Sequence, residues 1–265
     1  MNTHTTGKTM TQPTPLLSVR DLRVEVGERT VLESISLDIQ SGELVVLMGA
    51  NGSGKSTLGL TLAGHPRYRV SAGSARFHGQ DLLAQKPEER ARAGLFVSLQ
   101  APPDIPGVKN ALFLRSALNA VRASRGEPQL DAFDFLKDAR ALSSELGLDA
   151  KLLSRPVNEG FSGGERKRNE MLQLALLKPR LALLDEIDSG LDVDGVRAVV
   201  KQVQALRAQG TAFVVVSHYL QLIESLAPDT VLWLDQGRIA EVGTLALARD
   251  IARTGFVRQS EALEA

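Results

Sequence analysis

The nine residues GANGSGKST, Gly49–Thr57, constrain this chain more than any other stretch. The apolar run Leu44–Met48 precedes them and the helix-prone segment Thr57–Ala63 follows, which is the strand–loop–helix order of a phosphate-binding loop. Glycines let such a loop adopt backbone conformations that other residues disfavour, so that its N–H groups converge on an anion at a helix N-terminus. Lys55 is placed to reach the β- and γ-phosphates, and the Ser56 hydroxyl is placed to bind Mg²⁺. The residues predicted to bind a nucleoside triphosphate here are Gly49, Ala50, Asn51, Gly52, Ser53, Gly54, Lys55, Ser56 and Thr57.

The charge balance argues against a strongly charged partner such as nucleic acid or an anionic membrane. The chain has 31 Lys and Arg residues against 31 Asp and Glu residues, so it lacks the strong field that favours nucleic acid or anionic membranes. No apolar run approaches the roughly 18 residues of a membrane span. The chain has no cysteine, and its four histidines show no metal-ligand spacing. We expect a cytoplasmic protein without direct nucleic-acid binding or membrane insertion, with residues 1–15 as a disordered tail.

Hydrophobic patterning predicts an α/β fold. Alternating strands at Leu17–Val26 and Ser34–Gln40 indicate a small antiparallel sheet beside the main one. Further predicted strands are Ser74–His78, Leu95–Ser98, Leu181–Leu184, Ala212–Val216 and the hairpin Thr230–Leu234 with Arg238–Val242. Helical spacing is found at Pro87–Ala93, Ala111–Ala123, Asp131–Leu148, Val193–Ala208 and Ala246–Ala252. We therefore expect one domain, residues 16–265, with a helical subdomain at about residues 101–178 inserted in the α/β core, whose apolar stripes could be plain core or a partner surface.

Polar side chains follow three of the buried strands, at Gln100, at Asp185-Glu186 and at His218. Ligands of open α/β sheets bind at the carboxyl ends of the strands, so these side chains are candidates for one site. In phosphate-loop proteins the strand-terminal aspartate holds Mg²⁺, which gives Asp185 that role. A second acid directly after it, here Glu186, can activate the attacking water.

The segment GFSGGERKR, Gly160–Arg168, predicts the start of a helix that runs to about Leu177. Ser162 stands at the N-cap and Glu165 follows three residues later, as in a capping box. This is either an ordinary helix start or a second phosphate-binding helix N-terminus built from Ser162, Gly163 and Gly164. The phosphate-binding loop elsewhere in the chain favours the second interpretation.

In this order, the pieces resemble the ATP-binding cassette (ABC) ATPase family. The matching motifs are Walker A (Gly49–Thr57), the Q-loop glutamine (Gln100), the signature (Phe161–Glu165), Walker B (Leu181–Glu186), the D-loop (Ser189–Asp192) and the switch histidine (His218). The resemblance implies a cassette with a mixed sheet, a small antiparallel part and a helical subdomain. It further implies that two cassettes dimerise head to tail around ATP and Mg²⁺, so that Ser162 and Gly164 of one chain cap the nucleotide held by the other. Glu186 would be the general base, Gln100 and His218 would sense Mg²⁺, water and the γ-phosphate, and Ser56, Gln100 and Asp185 would serve Mg²⁺.

The residues within these motifs match one branch of that family better than they match the transporter cassettes. Transporter cassettes usually read LSGGQ, DEPTSALD and THD, whereas this chain has FSGGERKRNE, DEIDSGLD and SHY. These variants resemble the SufC proteins, ATPases of the SUF iron–sulfur cluster assembly machinery, which act on the scaffold proteins SufB and SufD. The resemblance implies an ATPase that drives conformational change in a SufB–SufD-like scaffold.

Three alternatives are weighed against this interpretation. The first is the ATPase subunit of a membrane ABC transporter, whose permease would engage residues 100–148. The second is a DNA-repair or chromosome-structure ATPase, but the stretch between Lys55 and Ser162 is too short for the long coiled coil of those chains. The third is a translation-type factor, which needs two cassettes where this chain has one. The sequence departs from the family at the residue that stacks on adenine. Val26 stands where the family usually has an aromatic residue, so we expect weak stacking on the adenine base.

Overall fold

This computed structural model of the protein describes residues 14–98, 100 and 102–256. Most of the predicted tail, residues 1–15, therefore lies outside the described residues. The strands are β1 (Leu17–Val26), β2 (Arg29–Ile39), β3 (Leu44–Met48), β4 (Arg69–Phe77), β5 (Gln80–Asp81), β6 (Leu95–Val97), β7 (Ile105–Lys109), β8 (Pro156–Val157), β9 (Leu181–Asp185), β10 (Ala212–Val216), β11 (Thr230–Asp235) and β12 (Arg238–Gly243). The helices are α1 (Lys55–Ala63), α2 (Pro87–Ala93), α3 (Asn110–Ser124), α4 (Ala132–Glu145), α5 (Gly163–Leu177), α6 (Val193–Ala208), α7 (Leu220–Leu226) and α8 (Leu245–Thr254), with a 3-10 helix at Ala150–Ser154.

A six-stranded sheet in the order β12-β11-β3-β10-β9-β6 forms the centre of the fold. Its strands pair in parallel except for β12, which returns antiparallel beside β11. Strand β3 is buried along its whole length, as expected for a parallel strand covered on both faces. Because side chains alternate across a strand, Leu44, Val46 and Met48 join one hydrophobic core and Val45 and Leu47 join another on the opposite face.

A second sheet, in the order β2-β1-β4-β5, is antiparallel throughout. Its inward side chains, among them Leu22 and Ile35, pack into the same core as Val45 and Leu47. The predicted α/β fold with a mixed sheet and a small antiparallel part is confirmed.

The chain between β6 and β9 is mainly helical, with α3, α4 and α5 packed on one another. It also holds two short strands that the patterning does not predict: β7 and β8 pair antiparallel, with Ile105 opposite Val157. The helix predicted over Asp131–Leu148 is too long, because α4 ends at Glu145 and Gly147 adopts a left-handed φ of 64°. Helix α7 is likewise not predicted, since its seven residues show too few turns for a clear period.

No helix among the described residues combines the length and the apolar character needed to cross a membrane.

Candidate functional site

The loop Gly49–Gly54 joins the end of β3 to the start of α1, as the sequence predicts. Gly54 is the N-cap of α1 with a left-handed φ of 109°, which a side chain would strain. A Cβ on Gly49 would overlap the carbonyl oxygen of Leu234 and lie 2.6 Å from the Ser53 hydroxyl. Glycine at both positions is therefore required for the loop to lie against β11 and open onto the N-terminus of α1.

Lys55 and Ser56 begin α1 and point to different partners. The Lys55 Nζ donates to the carbonyl oxygens of Gly49 and Ala50, each at 2.8 Å. The Ser56 Oγ donates to Asp185 Oδ2 at 2.6 Å, which joins the first turn of α1 to the end of β9. Two of the three residues predicted to serve Mg²⁺ thus lie in direct contact.

The charges of Lys55 and Asp185 suit a ligand that combines negatively charged phosphates with a bound cation. Burial lowers the pKa of Lys55, although Asp185 and Glu186 oppose that shift. Burial also raises the pKa of Asp185, against the opposing effect of the Ser56 hydrogen bond. Each group therefore loses hydration that its present neighbours do not fully replace. A phosphate beside Lys55 and a divalent cation beside Asp185 would stabilise both charged forms.

Glu186 follows Asp185 at the point where the chain leaves the sheet. Its φ of 49° is left-handed, which is uncommon for a residue other than glycine. Its N–H donates to the Val216 carbonyl oxygen at 3.0 Å, and its own carbonyl accepts from Ser189 at 3.1 Å. The hydrogen bond to Val216 therefore holds the backbone of Glu186 next to the end of β10. The Glu186 side chain is half-buried.

A cleft of about 390 Å³ brings Gln100 to the same corner. Lys55, Ser56, Gln100 and Asp185 line this cleft together. His218 is exposed and lies two residues after the end of β10, the neighbour in the sheet of the strand that ends at Asp185. The polar residues predicted at strand ends thus stand at the same edge of the sheet as the phosphate-binding loop.

The donor set fits Mg²⁺. A serine hydroxyl, a carboxylate and an amide oxygen are hard oxygen ligands, and Mg²⁺ in nucleotide sites takes only one or two protein groups besides phosphate and water. The described residues contain no cluster of three or more His, Cys, Asp or Glu side chains able to hold a metal alone. That pattern agrees with a cation that arrives together with a nucleotide.

The signature segment has the predicted capping box. Ser162 is the N-cap of α5: its Oγ accepts from the Glu165 N–H at 3.3 Å, and its own N–H donates to Glu165 Oε2 at 2.7 Å. The hydrogen bond from the Ser162 N–H lowers the pKa of Glu165. Ser162 and Gly163 are exposed, and a Cβ on Gly163 would meet nothing within 4 Å. A Cβ on Gly164 would lie 3.2 Å from the Gly190 carbonyl oxygen, so signature and D-loop adjoin within one chain.

Two residues around the C-terminal end of α1 have contacts that the sequence analysis does not predict. Arg90 is buried, and its guanidinium donates to the carbonyl oxygens of Thr61 and Leu62 at 2.9 Å each, at the C-terminal end of α1. His65 packs edge-on against Tyr68 and lines the cleft. The charged face of the helix PEERARA does not distinguish the buried Arg90 from its exposed neighbours. The sequence around His65 likewise gives no sign of its contact with Tyr68.

Comparison with known proteins places this geometry in a family. The family model described as "ABC transporter" matches residues 32–189. The "Probable ATP-dependent transporter SufC" of Escherichia coli K12 is 46% identical over 241 residues, which cover 91% of this chain and 97% of that protein. The "ABC transporter I family member 6, chloroplastic" of Arabidopsis thaliana is 45% identical, covering 91% of this chain and 72% of that protein.

Solved structures agree with the fold. An ATP-binding subunit of an ABC transporter superposes with a TM-score of 0.76 at 27% identity and covers 91% of this chain and 95% of its own. A dimeric ATP-binding cassette in a post-hydrolysis state with ADP and phosphate superposes with a TM-score of 0.74 at 18% identity, covering 86% of this chain and 98% of its own. The chain therefore belongs to the ABC transporter family, as an ATP-binding and ATP-hydrolysing cassette of the SufC type.

Proposed function

We propose that two copies of this chain close head to tail around ATP and Mg²⁺, and that the opening of this dimer drives conformational change in a SufB–SufD-like scaffold during iron–sulfur cluster assembly. The observation that carries the proposal is the contact of Ser56 with Asp185 beside Glu186, together with a signature serine that lies exposed on its own chain. The first supplies one half of a hydrolytic site. The second supplies a cap that a second chain can use.

The phosphate-binding loop holds the nucleotide. The N–H groups of Gly49–Thr57 converge on the phosphates, and Lys55 exchanges its two carbonyl contacts for the β- and γ-phosphate oxygens. Ser56, Asp185 and Gln100 are the residues that would serve Mg²⁺. When bound, the cation neutralises negative charge on the phosphate oxygens.

Glu186 acts as the general base. It orients the attacking water and accepts its proton, while the Asp185 carboxylate stays with the cation. Gln100, after β6, and His218, after β10, contact the γ-phosphate region from the two sides of β9. A left-handed backbone at Glu186 is consistent with this role, because such conformations persist where the surrounding structure holds a functional group in place.

The cap comes from the second chain. Ser162, Gly163 and Gly164 offer a hydroxyl and the bare N–H groups of a helix start, and they are accessible from outside the chain. Support comes from the related cassette whose structure is dimeric with ADP and phosphate. We further propose that residues 101–178 form the helical subdomain that carries this cap within the single domain of residues 16–265.

The proposed action on a SufB–SufD-like scaffold is supported by sequence similarity to named relatives. A relative 46% identical over most of both chains is named SufC, and the variants FSGGERKRNE, DEIDSGLD and SHY separate this chain from the usual transporter wording. We propose a cytoplasmic ATPase whose partners are SufB- and SufD-like. The exposed side chains of Leu112 (51%) and Phe133 (77%) on α3 and α4 offer apolar surface for such a partner.

The alternative is the ATP-binding subunit of a membrane transporter, which the names of several relatives favour. The test is to tag the chain, purify it without detergent from its own cells and identify the proteins that come with it. Soluble proteins of the scaffold type support the proposal. A multispanning protein recovered only from the membrane fraction would replace it with the transporter, and the nucleotide site would stay as assigned.

A further inference from the structure

Three asparagine side chains are buried together between the signature segment and the helices behind it. Asn110 starts α3, Asn169 lies in α5, and Asn158 follows β8 directly. Asn110 and Asn169 have no exposed surface, and Asn158 is 2% exposed. Burial of amide groups is unfavourable unless their hydrogen bonds are made, so their partners decide what the cluster does.

The three amides bond to one another. Asn110 Nδ2 donates to Asn169 Oδ1 at 2.7 Å, and Asn169 Nδ2 returns a hydrogen bond to Asn110 Oδ1 at 3.4 Å. Asn169 Nδ2 also donates to Asn158 Oδ1 at 3.1 Å. The cluster thus joins the first residue of α3, the second turn of α5 and the segment between them.

Asn158 extends the cluster in two directions. Its Nδ2 donates to the Pro103 carbonyl oxygen at 3.0 Å, three residues after Gln100. Its own carbonyl accepts from the Phe161 N–H at 3.1 Å, which closes the turn that leads into Ser162. The backbone of Asn158 is left-handed, with a φ of 59°, a conformation that asparagine tolerates better than most residues. One residue therefore ties the exit of the Q-loop, through its side chain, to the entry of the signature, through its backbone carbonyl.

A second tie runs parallel to the first. Arg166, in the first turn of α5, forms an ion pair with Asp104 at 2.9 Å, and its Nε donates to the Phe161 carbonyl oxygen at 3.2 Å. This pair is part-exposed, so it contributes less than the buried amides. Both ties join the same two segments, residues 102–104 and the signature turn.

We propose that Asn158 and Asn169 are positioning residues for Ser162, and that they set the reaction rate of the nucleotide bound by the other chain of the dimer rather than of their own. This inference rests on the composite site proposed above. The signature serine is exposed, and within the described part of the chain its hydrogen bonds go to its own helix start, so its place relative to the rest of the chain is fixed by the turn behind it. The asparagine cluster is the buried anchor of that turn.

The test uses a pair of chains with a single complete site. One chain carries Ser162→Arg and keeps Lys55; the other carries Lys55→Ala and keeps Ser162. Only the first chain's phosphate loop and the second chain's signature can then work together. Asn158→Gly is added to one chain at a time, because glycine adopts a φ of 59° freely and only the amide is lost. Hydrolysis of Mg·ATP is measured for each mixture.

Asn158→Gly on the chain that donates Ser162 is expected to lower kcat by about 10- to 100-fold, the range for misplaced groups remote from the chemistry, with little change in KM for ATP. The same substitution on the chain that carries Ser162→Arg should leave kcat unchanged, since its signature is already inactive. Asn169→Leu should repeat this asymmetry. Asn119→Ala on the donor chain is the matched control, because it removes a half-buried α3 amide that bonds only to the backbone of Leu130.

Equal losses in both placements would overturn the inference, because a general loss of structure does not distinguish the chains. Unchanged kcat in both placements would overturn it as well. If the parent pair without any asparagine substitution is inactive, the composite site itself fails, and the positioning role fails with it.

Discussion

Ser56 and Asp185 are 129 residues apart in the chain and 2.6 Å apart in space, with the serine hydroxyl donating to the carboxylate. This hydrogen bond spans the gap between the helix that receives the phosphates and the strand that ends beside them. The positive charges of Lys55 and Lys167 favour the ionised form of Asp185, but burial outweighs them and raises the pKa of this carboxyl group. The divalent ion proposed to bind here would stabilise the ionised carboxylate further.

Replacing the carboxylate without changing its shape tests that arrangement. Asp185→Asn keeps an oxygen that accepts from Ser56 but removes the charge. We expect the Mg²⁺ concentration for half-maximal ATP hydrolysis to rise by about 10- to 100-fold, as for other changes around a bound metal. Asp134→Asn, at an exposed aspartate in the first turn of α4, is the matched control. An unchanged Mg²⁺ dependence in Asp185→Asn would remove this residue from the metal site.

Glu186→Gln is expected to abolish turnover while ATP binding stays intact. Glutamine retains the size and polarity of the side chain but cannot accept the proton of the attacking water. Binding of labelled ATP and release of phosphate, measured on the same preparation, separate the two effects. Hydrolysis at the parent rate would exclude Glu186 as the base.

Val26 predicts weak selection of the base. It ends β1 and offers no ring for adenine to stack on, so affinity depends on the phosphates. We expect GTP to compete with ATP better than in cassettes with an aromatic residue there. Val26→Tyr should raise the affinity for ATP by about tenfold, which corresponds to the lower part of the range for base–aromatic stacking. A strict ATP preference in the parent chain would contradict this account.

Arg90 is expected to stabilise the fold through the end of α1. Its guanidinium donates to the carbonyl oxygens of Thr61, Leu62 and Gln85, which would otherwise be left without that donor. Arg90→Met should lower the free energy of unfolding by about 3 kcal/mol, the upper range for hydrogen bonds to a charged group. Urea unfolding measures this change.

Arg92→Met is the control, since Arg92 is exposed and its guanidinium donates to the Glu88 carbonyl oxygen within the same helix. We expect this substitution to change the free energy of unfolding by no more than about 0.5 kcal/mol. Equal effects of the two substitutions would show that Arg90 contributes no more than a surface residue.

Local patterns predict the parts of this protein that depend on short stretches of chain. The phosphate loop, the capping box at Ser162 and the buried strands each follow from spacing within about ten residues. The pairing of Ile105 with Val157 does not, because it brings together segments separated by two helices. The contacts of Asn158 are non-local in the same way, and its left-handed backbone has no signal in the residues around it.

The site shows the same division. Residue types identify Lys55, Ser56, Asp185 and Glu186 as candidates, but their approach to one another depends on the parallel register of β3, β10 and β9. Arg90 escapes prediction because its role depends on the distant carbonyl groups of α1. Leu99 and Ala101, which flank Gln100 in the chain, lie outside the described residues.

Mixing two inactive variants tests whether the nucleotide site is shared between two chains. Lys55→Ala cannot hold the phosphates and Ser162→Arg cannot cap them, so each variant alone should hydrolyse no ATP. When the two are mixed, the pair that combines the intact Lys55 of one chain with the intact Ser162 of the other should recover part of the parent activity. Absence of recovery at every mixing ratio would contradict the composite site.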